Sequence, residues 1–186
     1  MNKHLIRLAE TTLLMLEKRS WQSIKIDEVY NKIKINKKNL QNKVGNKRDL
    51  LRNINHYFDF KLRNIADSID QSTHKDMIFE IIMMRFDILQ IHRKSIIKIF
   101  EFFKIKPQEL VFLLPSLIES IISMAGLAKI PVVGIKGNLK VKGLLVIYFS
   151  SFLVWAKDNS ESLEKTMTSL DNHLDRAGKL LSIIKI

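Results

Sequence analysis

Apolar side chains recur along this chain at steps of three and four, the spacing that lines up one face of an α-helix. Between His4 and Arg19 they fall at Leu5, Leu8, Ala9, Leu13 and Leu16. The pattern breaks over Ser20–Ser23, where Trp21 is placed to plug the gap before the next helix. Two short helical units are predicted next, over Ile26–Ile33 and Lys37–Val44, joined by Lys34-Ile35-Asn36. Asn36 is a candidate N-cap for the second, since its side chain can accept from the free amides of a first turn. Gly45-Asn46 closes that unit, and a long helix is expected from Lys47 to about Ile69.

Asp76–Phe103 predicts one or two helices, with Ile78, Ile81, Ile82, Phe86 and Leu89 on one face. Pro107 suits the first turn of a helix running to about Leu127, because a missing amide proton is harmless there. Ile130–Gly137 reads as the main inter-helix loop, followed by helices over Leu139–Lys157 and Ser160–Ile184. Asp158 and Glu161 form an Asp-x-x-Glu start signal for the last of these. Within it Leu163, Met167, Leu170, Leu174, Ala177, Leu181 and Ile184 alternate by four and three. That spacing draws one continuous apolar seam. The expectation is an all-α chain of about nine helices and no sheet.

A length of 186 residues is enough to bury a sizeable core, in one unit or two closely fused ones. With no cysteine, a disulfide scaffold and a thiolate metal site are excluded. Charges at Arg7, Glu10, Glu17, Lys18 and Arg19 interrupt the first apolar stretch, so no secretory signal is read there and a cytoplasmic location is expected. Gly143–Ala156 is uncharged but spans only 14 residues, and Leu110–Ala128 carries Pro115 and Glu119. Both read as buried core helices rather than membrane spans, which need roughly 18–20 apolar residues. The histidines His4, His56, His74, His92 and His173 are scattered. Nothing resembles a metal-binding helix pair, a phosphate loop or a nucleophile elbow. A non-enzyme without cofactor or metal is expected.

Net charge changes the picture. The formal value is +12, and residues 1–65 hold 15 Lys and Arg against six Asp and Glu. The excess therefore sits in the first third, and it peaks between Lys32 and Arg52, with eight basic residues and one acid, Asp49. In the predicted hairpin Ile26, Val29, Tyr30 and Ile33 form an inward stripe, and Leu40 and Val44 anchor the second helix. Between those anchors stand Lys37, Lys38, Asn39, Gln41, Asn42 and Lys43. Such side chains hold phosphates and read base edges in a major groove. Lys47 and Arg48 open the next helix, where backbone amides already favour a phosphate. A charge run alone is usually a solvated face. A short helix, a tight turn, a polar-faced helix and a basic flank together point to double-stranded DNA. The candidate DNA-binding set is Lys34, Asn36, Lys37, Lys38, Asn39, Gln41, Asn42, Lys43 and Lys47.

The segment Leu5–Leu51 resembles the N-terminal domain of TetR-type regulators, three helices that precede a long connecting helix. The resemblance implies groove-facing roles for Lys37, Lys38, Asn39, Gln41 and Asn42, and a phosphate role for Lys47. It also implies a helix-turn-helix domain over residues 1–50 and a helical ligand and dimerisation domain over 51–186. Four features depart from the family pattern. Lys34 stands where a turn glycine is usual, which requires left-handed strain of about 1 kcal/mol or a different turn. Gln41 replaces an aromatic, Val44 a phenylalanine, and Tyr30 and Ile33 stand where small residues are usual.

Further on, Arg85-Phe86-Asp87-x-Leu89, Ser123-Met124-Ala125-Gly126, Trp155-x-x-Asp158-x-Ser160 and Thr166-Met167-x-x-Leu170-Asp171 carry a second resemblance. They look like TetR-type regulators and also like the TetR-like lipid-binding accessory protein of ubiquinone biosynthesis. That second likeness implies an alternative function, isoprenoid binding at a membrane surface without DNA. An apolar or lipid-like ligand is expected among Met84, Phe100, Phe103, Met124, Phe152 and Trp155, with Tyr148 or His92 as a polar contact. The seam through Leu163, Met167, Leu170, Leu174 and Leu181, together with the apolar helix before it, is the candidate homodimer interface.

Overall fold

The computed structural model describes residues 1–36, 40, 42–66 and 72–183, apart from the side chains at 180–183. Helix α1 (Lys3–Lys18) starts at Asn2, whose Oδ1 accepts from the His4 amide at 2.8 Å. Its inner face is Leu8, Ala9, Leu13, Met15 and Leu16, and Thr12 returns its hydroxyl to the Leu8 carbonyl at 2.7 Å. Arg19 is extended and ends the helix; its guanidinium pairs with Glu28 and donates to the Ser23 carbonyl at 2.6 Å. A 3-10 turn (Trp21–Ser23) buries Trp21 against Phe102, ring to ring at 6.3 Å. The tryptophan fills the predicted gap.

Helix α2 (Ile26–Ile33) has Asp27 and Glu28 in its first turn, favourable to the helix dipole. It buries Val29, Tyr30 and Ile33, with Ile26 half-buried. Of the expected second short helix, Lys37, Lys38, Asn39 and Gln41 lie outside the described residues. Leu40 and residues 42–44 form hydrogen-bonded turns, the Lys43 and Val44 amides both donating to the Leu40 carbonyl at 2.8 Å.

Helix α3 (Lys47–Ile65) is capped by Asn46, whose Oδ1 accepts from the amides of Arg48 and Asp49 at 2.9 and 3.0 Å. Helix α4 (His74–Ile91) begins with a reciprocal cap. Thr73 Oγ1 accepts from the Asp76 amide at 3.2 Å and donates to its carboxylate at 2.6 Å. The expected Asp76–Phe103 segment divides at His92, so α5 (Arg93–Ile105) is separate. Helix α6 (Pro107–Leu127) has the predicted bounds. Helices α7 (Gly134–Trp155) and α8 (Glu164–Ile183) follow. Among the described residues every regular element is helical, as expected for an all-α chain.

Two compact units form, each from two stretches of chain. The first contains Met1–Lys61 and Ile88–Leu117; the second contains Leu62–Asp87 and the chain from Ile118. In the first, polar side chains tie helix backbones together. Ser95 Oγ donates to the Leu13 carbonyl at 2.6 Å, Asn53 Nδ2 to that of Leu5 at 2.9 Å, and Asn55 Nδ2 to that of Ser116 at 3.0 Å. Tyr57 and Phe58 meet the edge of His92, and burial holds that imidazole below the usual histidine pKa. In the second unit Phe86 stacks on Tyr148 at 5.5 Å, almost parallel, and lies 6.2 Å from Trp155. Arg85 is only 1% exposed and donates Nε–H to the Tyr148 hydroxyl at 3.1 Å.

Three expectations are corrected. The loop predicted over Ile130–Gly137 is shorter, because α7 already starts at Gly134. Gly137 is buried in its first turn, and a Cβ there would overlap the Val132 backbone, so the loop folds back across the helix only because that side chain is missing. The last helix starts at Glu164, not Ser160. Asp158 does not cap with Glu161; its carboxylate accepts from the Ser160 amide and hydroxyl (3.2 and 2.6 Å) and the Thr166 amide and hydroxyl (2.9 and 2.8 Å). Finally, α6 and α7 are not wholly buried core helices. Each is long and apolar enough to cross a bilayer by length and composition, yet only 28% and 33% of their most apolar windows are buried.

Burial alone would raise the Asp158 pKa, but the bonds from Ser160 and Thr166 outweigh it and hold the carboxyl well below the usual range. The stabilisation is therefore complete above the unfolded value, near pH 4, and is lost as pH falls below it. Asp158→Ala should lower stability by about 2 kcal/mol at neutral pH, since it strands the Thr166 donors. The difference from the parent in urea melts should shrink in acid; a difference that persists undiminished at pH 3 counts against this role.

Candidate nucleic-acid interface

The helix-turn-helix candidate lies in the first unit. Helix α2 ends in a Schellman arrangement: the Ile35 amide donates to the Tyr30 carbonyl at 3.3 Å and the Lys34 amide to that of Asn31 at 3.1 Å. Lys34 occupies the left-handed position, with φ 54° and ψ 42°. The chain therefore accepts the strain rather than adopting another turn. Arg7 Nη2 donates to the neighbouring Ile33 carbonyl at 3.4 Å, adding a cation at the helix C-terminus.

Beyond the turn, Leu40 and Val44 are buried as expected, and the Tyr30 hydroxyl donates to the Val44 carbonyl at 2.8 Å. Burial pushes the Tyr30 phenol up, with the Asp49 carboxylate adding to the shift, so it remains a donor. Tyr30, a departure from the small residue usual there, thus supplies a bond that pins the far end of the segment. Around these anchors Lys34, Asn36, Asn42 and Lys43 are exposed. The other four of the expected groove-facing set, Lys37, Lys38, Asn39 and Gln41, lie outside the described residues.

Two flanking cations are not where the sequence places them. The Lys47 ammonium turns inward, donating to the carbonyls of Trp21 at 2.6 Å and Gln22 at 3.3 Å and lying 4.8 Å from the Trp21 ring centre. Burial, and the nearby Lys106 charge, lower its pKa. Instead of facing a phosphate it closes the open carbonyls of the 3-10 turn. Arg48 is likewise engaged: Nε and Nη2 each sit 2.9 Å from a Glu109 carboxylate oxygen, and the guanidinium lies 3.4 Å from the Phe112 ring centre. Glu109 and Phe112 are some sixty residues away in sequence, and no local pattern marks them.

The second-domain candidates fare differently. Met124 and Trp155 are buried in the core of the second unit, while Met84 and Phe152 there are half-buried. Phe100 and Phe103 belong to the first unit. None of the six lines the largely apolar, half-open cavity of about 560 Å³ in the second unit, which α4, α7, α8 and the α6–α7 loop border. Tyr148 is engaged with Arg85. Of the proposed dimer seam, Leu163, Leu170 and Leu174 are buried within their own chain, where α8 packs on α7. Met167 is 42% exposed, and the side chain of Leu181 lies outside those described. The described seam therefore serves an intramolecular contact. The exposed apolar positions are on α7 instead, with Val146 65% and Leu153 49% exposed.

Removing the side chain at the left-handed turn should relieve strain without touching the buried anchors. Lys34→Gly is expected to raise unfolding stability by about 1 kcal/mol. Chemical denaturation reads this directly, and a stability unchanged or lowered would show that the turn does not carry that strain.

No family model matches this sequence, and no curated protein matches it significantly. Among solved structures, the chain is similar to the crystal structure of a TetR transcriptional regulator from Nitrosomonas europaea, at 17% sequence identity and a TM-score of 0.73. The match covers 95% of this chain and 99% of that one. The helices described above are thus arranged in the TetR-type fold.

Proposed function

We propose that this chain is a cytoplasmic, dimeric, ligand-responsive transcriptional regulator that binds double-stranded DNA. Residues 1–50 form its reading head and residues 51–186 its ligand and dimerisation part. The observation that carries the reading is the exposed set Lys34, Asn36, Asn42 and Lys43 around the buried anchors Leu40 and Val44. A basic, amide-rich surface raised on two apolar pegs is the physical requirement for docking into a major groove. Lys37, Lys38, Asn39 and Gln41 are proposed to supply further groove contacts. Lys47 supports it from behind by holding the 3-10 turn, and Arg48 braces α3 against Glu109. With both cations so engaged, phosphate contact falls chiefly to Lys34, Lys37, Lys38 and Lys43.

Dimerisation is assigned to the outer face of α7. Val146, Ser150 and Leu153 recur there at steps of four and three, the spacing of a helix-pair seam, and the apolar members are exposed. Two copies would present two reading heads to half-sites on one duplex. A ligand bound in the larger part changes operator affinity only as far as it binds the two arrangements unequally.

A second reading, the lipid-binding accessory protein of ubiquinone biosynthesis, draws on Val133 and Ile135. They are 90% and 89% exposed beside Lys136, a combination suited to an anionic bilayer surface. Flotation with anionic vesicles, without operator preference, would favour it.

For the regulator, a duplex selected from a random pool should bind more tightly than bulk DNA, with affinity falling steeply as salt rises. Lys38→Ala should weaken all duplexes and reduce the salt slope by about one unit. Val146→Glu combined with Leu153→Glu should give a folded monomer by sedimentation, with weakened operator binding. Equal affinity for selected and random duplexes ends the sequence-specific reading, and a double variant that stays dimeric ends the α7 assignment.

A further inference from the structure

The cavity in the second unit differs from ordinary packing defects. Its volume of about 560 Å³ lies within the roughly 300–1,000 Å³ typical of small-molecule sites. Ile78 of α4, Leu144 and Ile147 of α7, Leu174 of α8 and Pro131 of the α6–α7 loop form apolar walls. A polar molecular body would lose its water there without gaining hydrogen bonds. The occupant's body must be apolar.

Two of the six glycines in the chain, Gly143 on α7 and Gly178 on α8, border this space. Neither has a positive φ, and a Cβ added to either meets nothing within 4 Å. Neither a turn nor a close backbone approach explains them. Glycine within a helix costs about 1 kcal/mol relative to alanine; both are exposed and border the open side of the cavity, where a larger side chain would project over it.

Lys75 and Lys140 border the cavity, and the Asp171 and Asp175 carboxylates meet the first of them. Lys75 is committed to α8, 2.8 Å from Asp171 and 2.6 Å from Asp175, and that clasp fixes the start of α4 against the cavity wall. Lys140 is half-buried and forms no ion pair among the described residues. A lysine in this position can lay its stem along apolar surface and hold its ammonium at the opening. Among the described residues no carboxylate lines the cavity itself.

We propose that this cavity binds a single-chain amphipathic acid, its tail between Ile78, Leu144, Ile147 and Leu174 and its carboxylate at Lys140. Any effect of such an acid on DNA rests on the ligand-responsive reading above; binding itself does not.

The test uses the full chain and a dansyl-labelled undecanoic acid followed by fluorescence, displaced by dodecanoic acid or by dodecanol. Gly143→Leu and Gly178→Leu, on different helices, each fill the space. Each should weaken the probe by about tenfold or more while helicity and melting remain those of a folded chain. Lys140→Gln should weaken the acid by roughly fivefold and leave the alcohol unchanged. Undiminished probe binding in both leucine variants, or acid and alcohol bound equally by the parent, overturns the proposal. Duplex binding measured in parallel separates the two readings. Probe binding that obeys the variants while duplex affinity ignores the acid upholds the site and removes the ligand response. Specific duplex binding with no probe bound upholds the regulator and removes this site.

Discussion

One hydrogen bond, from the Tyr30 hydroxyl to the Val44 carbonyl, ties the lysine-rich segment after α2 back to that helix, and the rest of the hairpin's surface depends on it. A segment this short and this cationic has no reason to stay folded by itself. Its lysines repel one another, and isolated helices of one or two turns are marginal in water. Order has to be imposed from below. Leu40 and Val44 bury apolar surface, and the tyrosine satisfies a carbonyl that would otherwise be sealed beneath them. The left-handed Lys34 sets the angle at which the segment leaves α2. A tyrosine where a small residue is usual, and a lysine where a glycine is usual, together define a different solution to the same geometric problem.

The distribution of cations sharpens this point. A net charge of +12 describes the chain, but the cations available to a polyanion are fewer. Lys47 holds carbonyls, Arg48 holds Glu109 and Phe112, and Arg19 holds Glu28. Each uses its charge to join elements distant in sequence. Positive charge here has two roles, bracing the first unit and presenting an electrostatic surface, and the exposed lysines of the hairpin belong to the second.

How much was legible in the sequence follows from what periodicity measures. Helices α2 and α6 appear at their observed ends because α2 stops at an abrupt change to polar residues and α6 begins at a proline. The Phe86 face of α4 was legible because one-sided burial is what a repeat of three and four reports. The same signal is ambiguous at α8. Leu163, Leu170 and Leu174 repeat as an interface would, but a spacing says only that a stripe is covered, not by what; here α7 of the same chain covers it. The partners of Arg48 were illegible for a related reason. They come from α6, and nothing near position 48 anticipates a carboxylate and a ring supplied at positions 109 and 112. The six pocket candidates were chosen for size, which selects residues that fill a core. A cavity is bounded instead by what is missing, and Gly143 and Gly178 were the residues to notice.

Helix α7 brings these strands together. On its inner side Tyr148 and Trp155 form an aromatic cluster with Phe86. On its flank, toward α8, Gly143 leaves space beside Leu144 and Ile147. Its outer side exposes Val146 and Leu153. Water would be a poor neighbour for all three surfaces, which is why so apolar a helix looks like a membrane span by composition alone. Each of these faces calls for a partner of its own. Core aromatics satisfy the first, and a second copy and an amphipathic ligand are the partners of matching chemistry for the other two. Because the two faces share one rigid helix, an occupant that shifts the flank also moves the face on which a dimer would form.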